Sequence, residues 1–495
     1  MNHGTAIKLG LIFMAFATEP GIALASSTMP TRLHFKPADH VLGDVHPYFY
    51  KGECFLYYLK PEEFDHTVGL ARSHDLLQWR ETPITHTHPI KRPANPDDWM
   101  APWFVLGVFH DPVGQVFRSF YGVRQGRMVS SVSRDLLNWD CAPKEFHVPP
   151  GGYYKQRRDP YVFWIPEMKK YGCVMTTWMK DSDWETGGAL SLATSPDLKN
   201  WTDHGAIIYP GDMGSPECPQ MFTLGGHWYA LASIHQGQGE YGGVGQPTYW
   251  TSKSPLGPWD PKPTGVLDGR HNCAAQVAFD GEIPLLFGWI PMTPTWQSKD
   301  ESWGGHLALP REIYALPDGT LGSRLPSNLL EWFATLPWQD VPDFTITSRP
   351  NTLDGEWQGK WQNFAAEFSL EMPASTKAVR VQIGALGEIV IAHDRLCICD
   401  GSSRVISELA ANIPSDRPVT VRIFVELNII EVFVNGCYSL VARVPETTDL
   451  LGFSMQGDGS GAKVSAMRIS PLGGSRQTEF VDSIAQCPQD GVPKT

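Results

Sequence analysis

Apolar residues in this chain fall into short, strand-length runs such as "FLYYL", "RSFYGV", "RMVSSVS", "KYGCVMTTW", "ALSLATS" and "HWYALAS". Gly, Pro, Asp and Asn bound these runs, and almost no long segment keeps a 3.6-residue period, so the pattern predicts strands throughout. A second rhythm lies over the first. "SHDLLQW", "SRDLLNW", "SPDLKNW" and the degenerate "SKSPLGPW" end on Trp79, Trp139, Trp201 and Trp259, each about sixty residues after the last. A fixed interval of that size means a repeat architecture, and about sixty residues hold four short strands with their turns, which is one propeller blade. The Ser-x-Asp-Leu-x-x-Trp motifs read as turns closing each blade around a buried tryptophan. A fifth unit, "CAAQVAFDGEIPLLFGWI" followed by "GGHLALPREIYALPDGTLGSRLP", ends near Pro326.

Beyond the repeats the pattern changes. From Phe364 to Ile469 the chain alternates more regularly, as in "VRVQIGALGEIVIA" and "VTVRIFVELNIIEVFVNG", with a hairpin signal at Asn435-Gly436. Two antiparallel sheets packed as a sandwich with their own core fit this alternation. The expected fold is therefore all-β: a five-bladed β-propeller over 40–326, a linker over 327–355, a β-sandwich over 356–473, and an unpatterned tail over 474–495.

The amino terminus adds a compartment. Lys8 precedes a short apolar stretch, Leu9 to Ala17, and Ala23-Leu24-Ala25 has the small-x-small form that signal peptidases cut. A stretch that short does not span a bilayer. Residues 1–25 thus read as a signal peptide, and the protein as secreted, extracellular or periplasmic. The formal net charge of −13, without a lysine-arginine block, argues against nucleic acid or an anionic membrane surface as partner. The 18 tryptophans suit a neutral sugar, whose apolar ring faces stack on flat aromatics, though core packing uses tryptophan equally well. The nine cysteines show no paired metal-ligand spacing, and nothing signals a cofactor.

Candidate chemistry comes from acids at the mouths of first strands. "GDVHPYFY" carries Asp44, "RRDPYVFW" carries Asp159 and "SPECPQMF" carries Glu217, each with a proline within three residues and an aromatic-containing strand behind it. Any one of them reads as a turn former, because Asp-Pro is common where a loop enters a strand. Aligned blade on blade, the three converge on one mouth of the propeller tunnel. Like charges so placed oppose one another, which a fold does not need but glycoside cleavage does: one ionised carboxylate as nucleophile and one protonated carboxyl as general acid. The rival is a metal site of these acids with His46, but no dense loop of oxygen ligands accompanies them. His46 and Arg158 are placed to contact sugar hydroxyls or to neutralise charge. Trp289 and Trp303 flank the last blade's loop as stacking or core residues, and His271 and Asn272 begin its first strand.

At these residues the chain resembles glycoside hydrolase family 32, the invertases, inulinases, levanases and fructosyltransferases. "RRDPYVFW" is similar to the family's Arg-Asp-Pro box, "SPECPQMF" to its Glu-Cys-Pro box, and Pro310-Arg311-Glu312 stands where its propeller ends. The resemblance runs from about Asp44 to Ile469. It implies Asp44 as nucleophile, Glu217 as acid/base, Asp159 as the residue that holds ring hydroxyls, and retaining hydrolysis of β-fructofuranosidic bonds in sucrose-like or fructan substrates. The first-blade motif departs from the family's Asn-Asp-Pro-Asn-Gly: here it is Gly43-Asp44-Val45-His46-Pro47, and Leu59 or Lys60 replaces a glutamine of the adjoining strand. The missing amides bear on the sugar more than on the catalytic acids. Transfer to a second sugar and cleavage of arabinofuranosides or xylosides stay open, to be separated by product analysis. A decayed carbohydrate-binding protein is a further alternative, and the presence of all three acids speaks against it.

Overall fold

The apolar runs do form strands, arranged as five successive sheets over 43–81, 85–147, 154–208, 215–266 and 273–324, antiparallel except where Thr85–His86 pairs in parallel with Asn138–Asp140. The computed structural model describes residues 32–473 except 62–65, 87–106, 112–113, 124–126, 141–145, 148–153, 236–244, 298, 353–360 and 449–451. The signal peptide expected at 1–25 and the tail at 474–495 lie outside the described residues. The first strands of four sheets matter most below: β1 (Gly43–Tyr50), β2 (Tyr154–Ile165), β3 (Ser215–Leu224) and β4 (Cys273–Asp280). β1 packs on β4, β4 on β3 and β3 on β2, while β2 packs on Val116–Val123 of the second sheet. Phe117 of that strand meets Tyr48 and Tyr50 of β1 edge-on.

The repeated motifs are turns joining the third strand of a sheet to the fourth. In each of the three closest copies the serine hydroxyl (Ser73, Ser133, Ser195) donates to the motif's aspartate, and the aspartate accepts the backbone N–H groups of the two residues after the leucine. This local bonding holds Leu76, Leu136 and Leu198 at positive φ (64°, 66° and 63°), a conformation a leucine adopts only when its surroundings over-determine it. Trp139 and Trp201 are buried behind their turns, and Trp79 is half-buried.

After residue 324 the chain builds two further sheets. One runs in the order Gln339–Val341, Lys463–Pro471, Phe364–Glu371, Val419–Glu426, Ile429–Val434, Tyr438–Arg443; the other Asn351–Thr352, Phe453–Asp458, Ala378–Ile383, Gly387–Ala392, Arg395–Asp400, Val405–Ala410. Their facing sides enclose one apolar core of Ile, Val, Leu, Phe and Met. The hairpin forms at Asn435-Gly436, both at positive φ. The stretch 327–355, read as a linker, is not free of structure. It carries the helix Ser327–Ala334, and its strands Gln339–Val341, Phe344–Thr345 and Asn351–Thr352 pair onto the later sheets. These strands are too short to show a period, which is why the sequence reads as irregular there.

A buried ionic group ties the fifth sheet to the later ones. Arg311 pairs with Asp268 at 2.9 Å and Glu431 at 3.4 Å, and His34 lies between Glu426 (2.9 Å) and Glu431 (3.3 Å). Burial by itself drives the His34 imidazole toward neutrality, but its hydrogen bonds to Glu426 and Glu431 outweigh this and raise its pKa to about 9. A raised folded-state value means that the stabilisation is complete below the unfolded value near 6.5 and is lost as pH climbs through 9. The wild type should thus lose on the order of 3 kcal/mol of stability between pH 6 and pH 10 that His34→Gln does not lose. Thermal unfolding of both proteins across that range checks this; parallel curves would show His34 to be neutral in the fold.

Candidate active site

The acids stand where four strands carry the same irregularity. In β1, β2, β3 and β4 two residues oppose one on the partner strand: Asp44-Val45, Asp159-Pro160, Cys218-Pro219 and Ala274-Ala275. Each is a β-bulge, the device that re-aims side chains at a sheet's rim. The first bulged residue is left-handed in all four, with φ of 37° at Asp44, 51° at Asp159, 49° at Cys218 and 43° at Ala274. Asp tolerates this conformation through local hydrogen bonding, whereas Cys and Ala hold it under strain. The strand Val116–Val123 of the second sheet pairs without a shift.

This register corrects the alignment of acids expected from sequence. Asp44 and Asp159 occupy the same bulge position, but Glu217 sits one residue earlier, at the level of Gly43, Arg158 and Cys273, and Cys218 takes the bulge. Proline follows Asp159 directly, Glu217 by two residues and Asp44 by three, so its spacing does not mark the bulge.

The three carboxylates nevertheless gather. The buried Cys218 thiol is pushed well above its ordinary pKa by burial and then by Asp44, Asp159 and Glu217, each near enough to act on it. Arg158 bridges two of them, donating from Nη1 to Asp159 Oδ2 at 2.8 Å and from Nη2 to Glu217 Oε1, with Nη2 also reaching Ser215 Oγ at 3.0 Å. Burial raises the Asp159 pKa; Arg158 pulls it back down and Glu217 pushes it up again. Thr176 Oγ1 donates to Asp159 Oδ2 at 3.3 Å. The side chains of Asp159 and Glu217 keep 22% and 27% of their surface open, so a substrate can reach them.

Asp44 has aromatic neighbours. Trp289 Nε1 donates to Asp44 Oδ1 at 3.2 Å, and Trp303 packs on Trp289 with ring centroids 5.9 Å apart. A Cβ on Gly43 would lie 2.5 Å from Trp303, so only glycine fits beneath that ring. Leu59 faces Gly43 across the sheet. The two tryptophans and Arg158 thus stand in contact with the acids or with one another.

His46 and His271 do not. His46 lies beyond the bulge, 5% exposed, and its Nδ1 donates to Gln276 Oε1 at 2.7 Å, while Gln276 Nε2 donates to the Cys218 carbonyl. Burial holds this imidazole neutral, with a pKa lowered to about 4. It is a tie between sheets beneath the acids. His271 is fully buried, with Nδ1 accepting the backbone N–H of Arg443 in a later sheet, and Asn272 donates to Asp268. Position within a strand could not separate His46 from Asp44, because the bulge reverses the facing of every residue after it, whereas His271 lies ahead of β4 altogether, in the turn held by Asp268. Sequence reasoning missed Ser215 and Thr176 as partners of the acids, and Trp178, whose ring lies 5.3 Å from the Arg158 guanidinium.

The sequence and the fold both have known relatives. Residues 123–322 match the family model for the N-terminal domain of glycosyl hydrolases family 32. A levanase from Bacillus subtilis is 24% identical over 89% of this chain and 70% of its own length. In fold, the chain is similar to sucrose-6-phosphate hydrolase from Lactobacillus gasseri, with a TM-score of 0.67 at 16% identity over 90% of this chain and 94% of the other. It is likewise similar to fructan 1-exohydrolase IIa from Cichorium intybus solved with 1-kestose, with a TM-score of 0.66 at 15% identity over 90% and 98%. Over residues 123–322 the chain is thus similar to the N-terminal domain of glycosyl hydrolases family 32, and over most of its length to the fold of the solved relatives.

Proposed function

We propose that the chain is a secreted retaining glycoside hydrolase that cleaves β-fructofuranosidic bonds, with its site at one mouth of a five-bladed propeller. The observation that carries the reading is the gathering of Asp44, Asp159 and Glu217 around Cys218, with Arg158 bridging two of them. Five successive sheets whose first strands pack on one another support the propeller, and the separate apolar core of the later sheets supports a sandwich over 356–473.

In this reading Asp44, fixed by the Trp289 N–H, attacks the anomeric carbon while Glu217 protonates the departing oxygen. The covalent glycosyl-enzyme that results is opened by water, which Glu217 deprotonates on the return step. Asp159 and Arg158 hold ring hydroxyls and so fix the sugar over Asp44, where orientation contributes to rate. The levanase relationship favours fructan, and the similarity to a fructan 1-exohydrolase solved in complex with 1-kestose supports a fructosyl oligosaccharide as substrate. Gly43 and Leu59 offer no side-chain amide on the Asp44 side, where Trp303 supplies an apolar wall instead. Fructose should therefore be released from levan or inulin faster than from sucrose.

The test is a product analysis against sucrose, inulin, levan and an aryl arabinofuranoside, followed by proton NMR. Fructose should appear first as the β anomer. Initial α product would remove Asp44 from the nucleophile's place, and turnover of the arabinofuranoside alone would transfer the site to another furanose.

A further inference from the structure

Beside Arg158 and Glu217 the site carries an aromatic relay that the hydrolytic steps leave unused. Arg158, which holds Glu217, lies 5.3 Å from the ring of the buried Trp178. Trp178 in turn meets Trp184 edge-on, with centroids 4.8 Å apart. Trp184 is 52% exposed, although large apolar side chains are normally left in water only singly and without such support.

The loop that presents it is braced. Asp183 Oδ1 accepts the backbone N–H groups of Glu185 (2.9 Å) and Thr186 (2.7 Å) and the Thr186 hydroxyl (2.7 Å). Gly187 donates back to the Asp183 carbonyl, and Ser182 Oγ bonds the Met179 carbonyl. Gly187 and Gly188 are bolted to Met213, just ahead of the strand that carries Glu217, through a β-bridge and a 2.9 Å hydrogen bond. A Cβ at Gly188 would lie 1.7 Å from the Gly214 carbonyl, so the two segments meet as closely as backbones can. A ring already fixed in place binds without the entropic cost of ordering it.

We propose that Trp184 is the stacking platform for the leaving sugar, a binding subsite for the saccharide unit on the acid/base side of the scissile bond. The assignment rests on the hydrolase reading above and deepens it. A general acid stands beside the departing oxygen, so the unit that departs extends away from Asp44 and past Glu217, toward the aromatic surface two ring spacings beyond Arg158. A pyranose or furanose offers that ring its apolar C–H face. Binding energy gathered there, remote from the reacting carbon, lowers the barrier for oligosaccharides and does nothing for a substrate whose leaving group has no ring.

The experiment compares kcat/KM for 1-kestose and for methyl β-fructofuranoside in wild type, Trp184→Ala and Trp184→Phe, with melting temperatures as a check on folding. Trp184→Ala should lower the ratio of the two values about fivefold to tenfold, and Trp184→Phe should restore most of it. An unchanged ratio, whether both values fall together or neither moves, overturns the subsite. A wild type that cleaves neither glycoside sinks the hydrolase reading itself, and the subsite with it, which distinguishes the two failures.

Discussion

Asp44→Asn is expected to lower kcat on every glycoside by about 10⁴-fold or more, because no covalent glycosyl-enzyme can form without the carboxylate. The substitution is close to isosteric and keeps an oxygen to accept the Trp289 Nε1–H now 3.2 Å away, so the loss should be chemical and leave the fold intact. Unchanged melting together with vanished turnover is the expected pair of results. Residual activity above about a hundredth of wild type would be too much for a missing nucleophile and would transfer that role elsewhere.

Glu217→Gln should separate substrates by their leaving groups. Loss of a general acid costs roughly 10²- to 10⁴-fold where the departing oxygen needs a proton, as it does in sucrose or levan. An aryl fructofuranoside with an acidic phenol needs little help, so its phenol should still be released in a first turnover, after which the intermediate persists for want of a base. The glutamine can accept the same contacts from Arg158 and Ser215, which keeps the surroundings unaltered. Rapid-quench measurement of the phenol burst reads this directly. Equal loss on alkyl and aryl substrates would deny Glu217 the acid role.

How much of this was legible beforehand depends on the scale of the signal. The sixty-residue interval and the strand-length runs gave the five sheets, because turns built on Ser-x-Asp impose their geometry locally and leave it written in the motif. Asp44, Asp159 and Glu217 were picked out on a similarly local signal, as short boxes at strand mouths. The bulges were not legible. An extra residue in a strand is defined by its partner, and nothing in "SPECPQMF" alone says that Cys218 rather than Glu217 takes the left-handed position. His46 was assigned to the site for want of that information, and His271 for want of its long-range bond to the Arg443 backbone. The ion pairs of Arg311 and His34 join residues far apart in sequence, and no local pattern encodes them.

The repeated bulge divides each first strand into two stretches that answer to different demands. Ahead of it lie Gly43, Arg158, Glu217 and Cys273; behind it lie His46, Tyr161, Gln220 and Gln276, whose contacts run sideways, from His46 to Gln276 and from Gln220 to the backbone of Val277. Since the phase is reset between them, a change at the mouth need not propagate into the girdle below, and the girdle can be kept while the mouth is rewritten. A designer wishing to give this scaffold another sugar would therefore work ahead of the bulge and on the loops around it, leaving the histidine and glutamines behind it untouched.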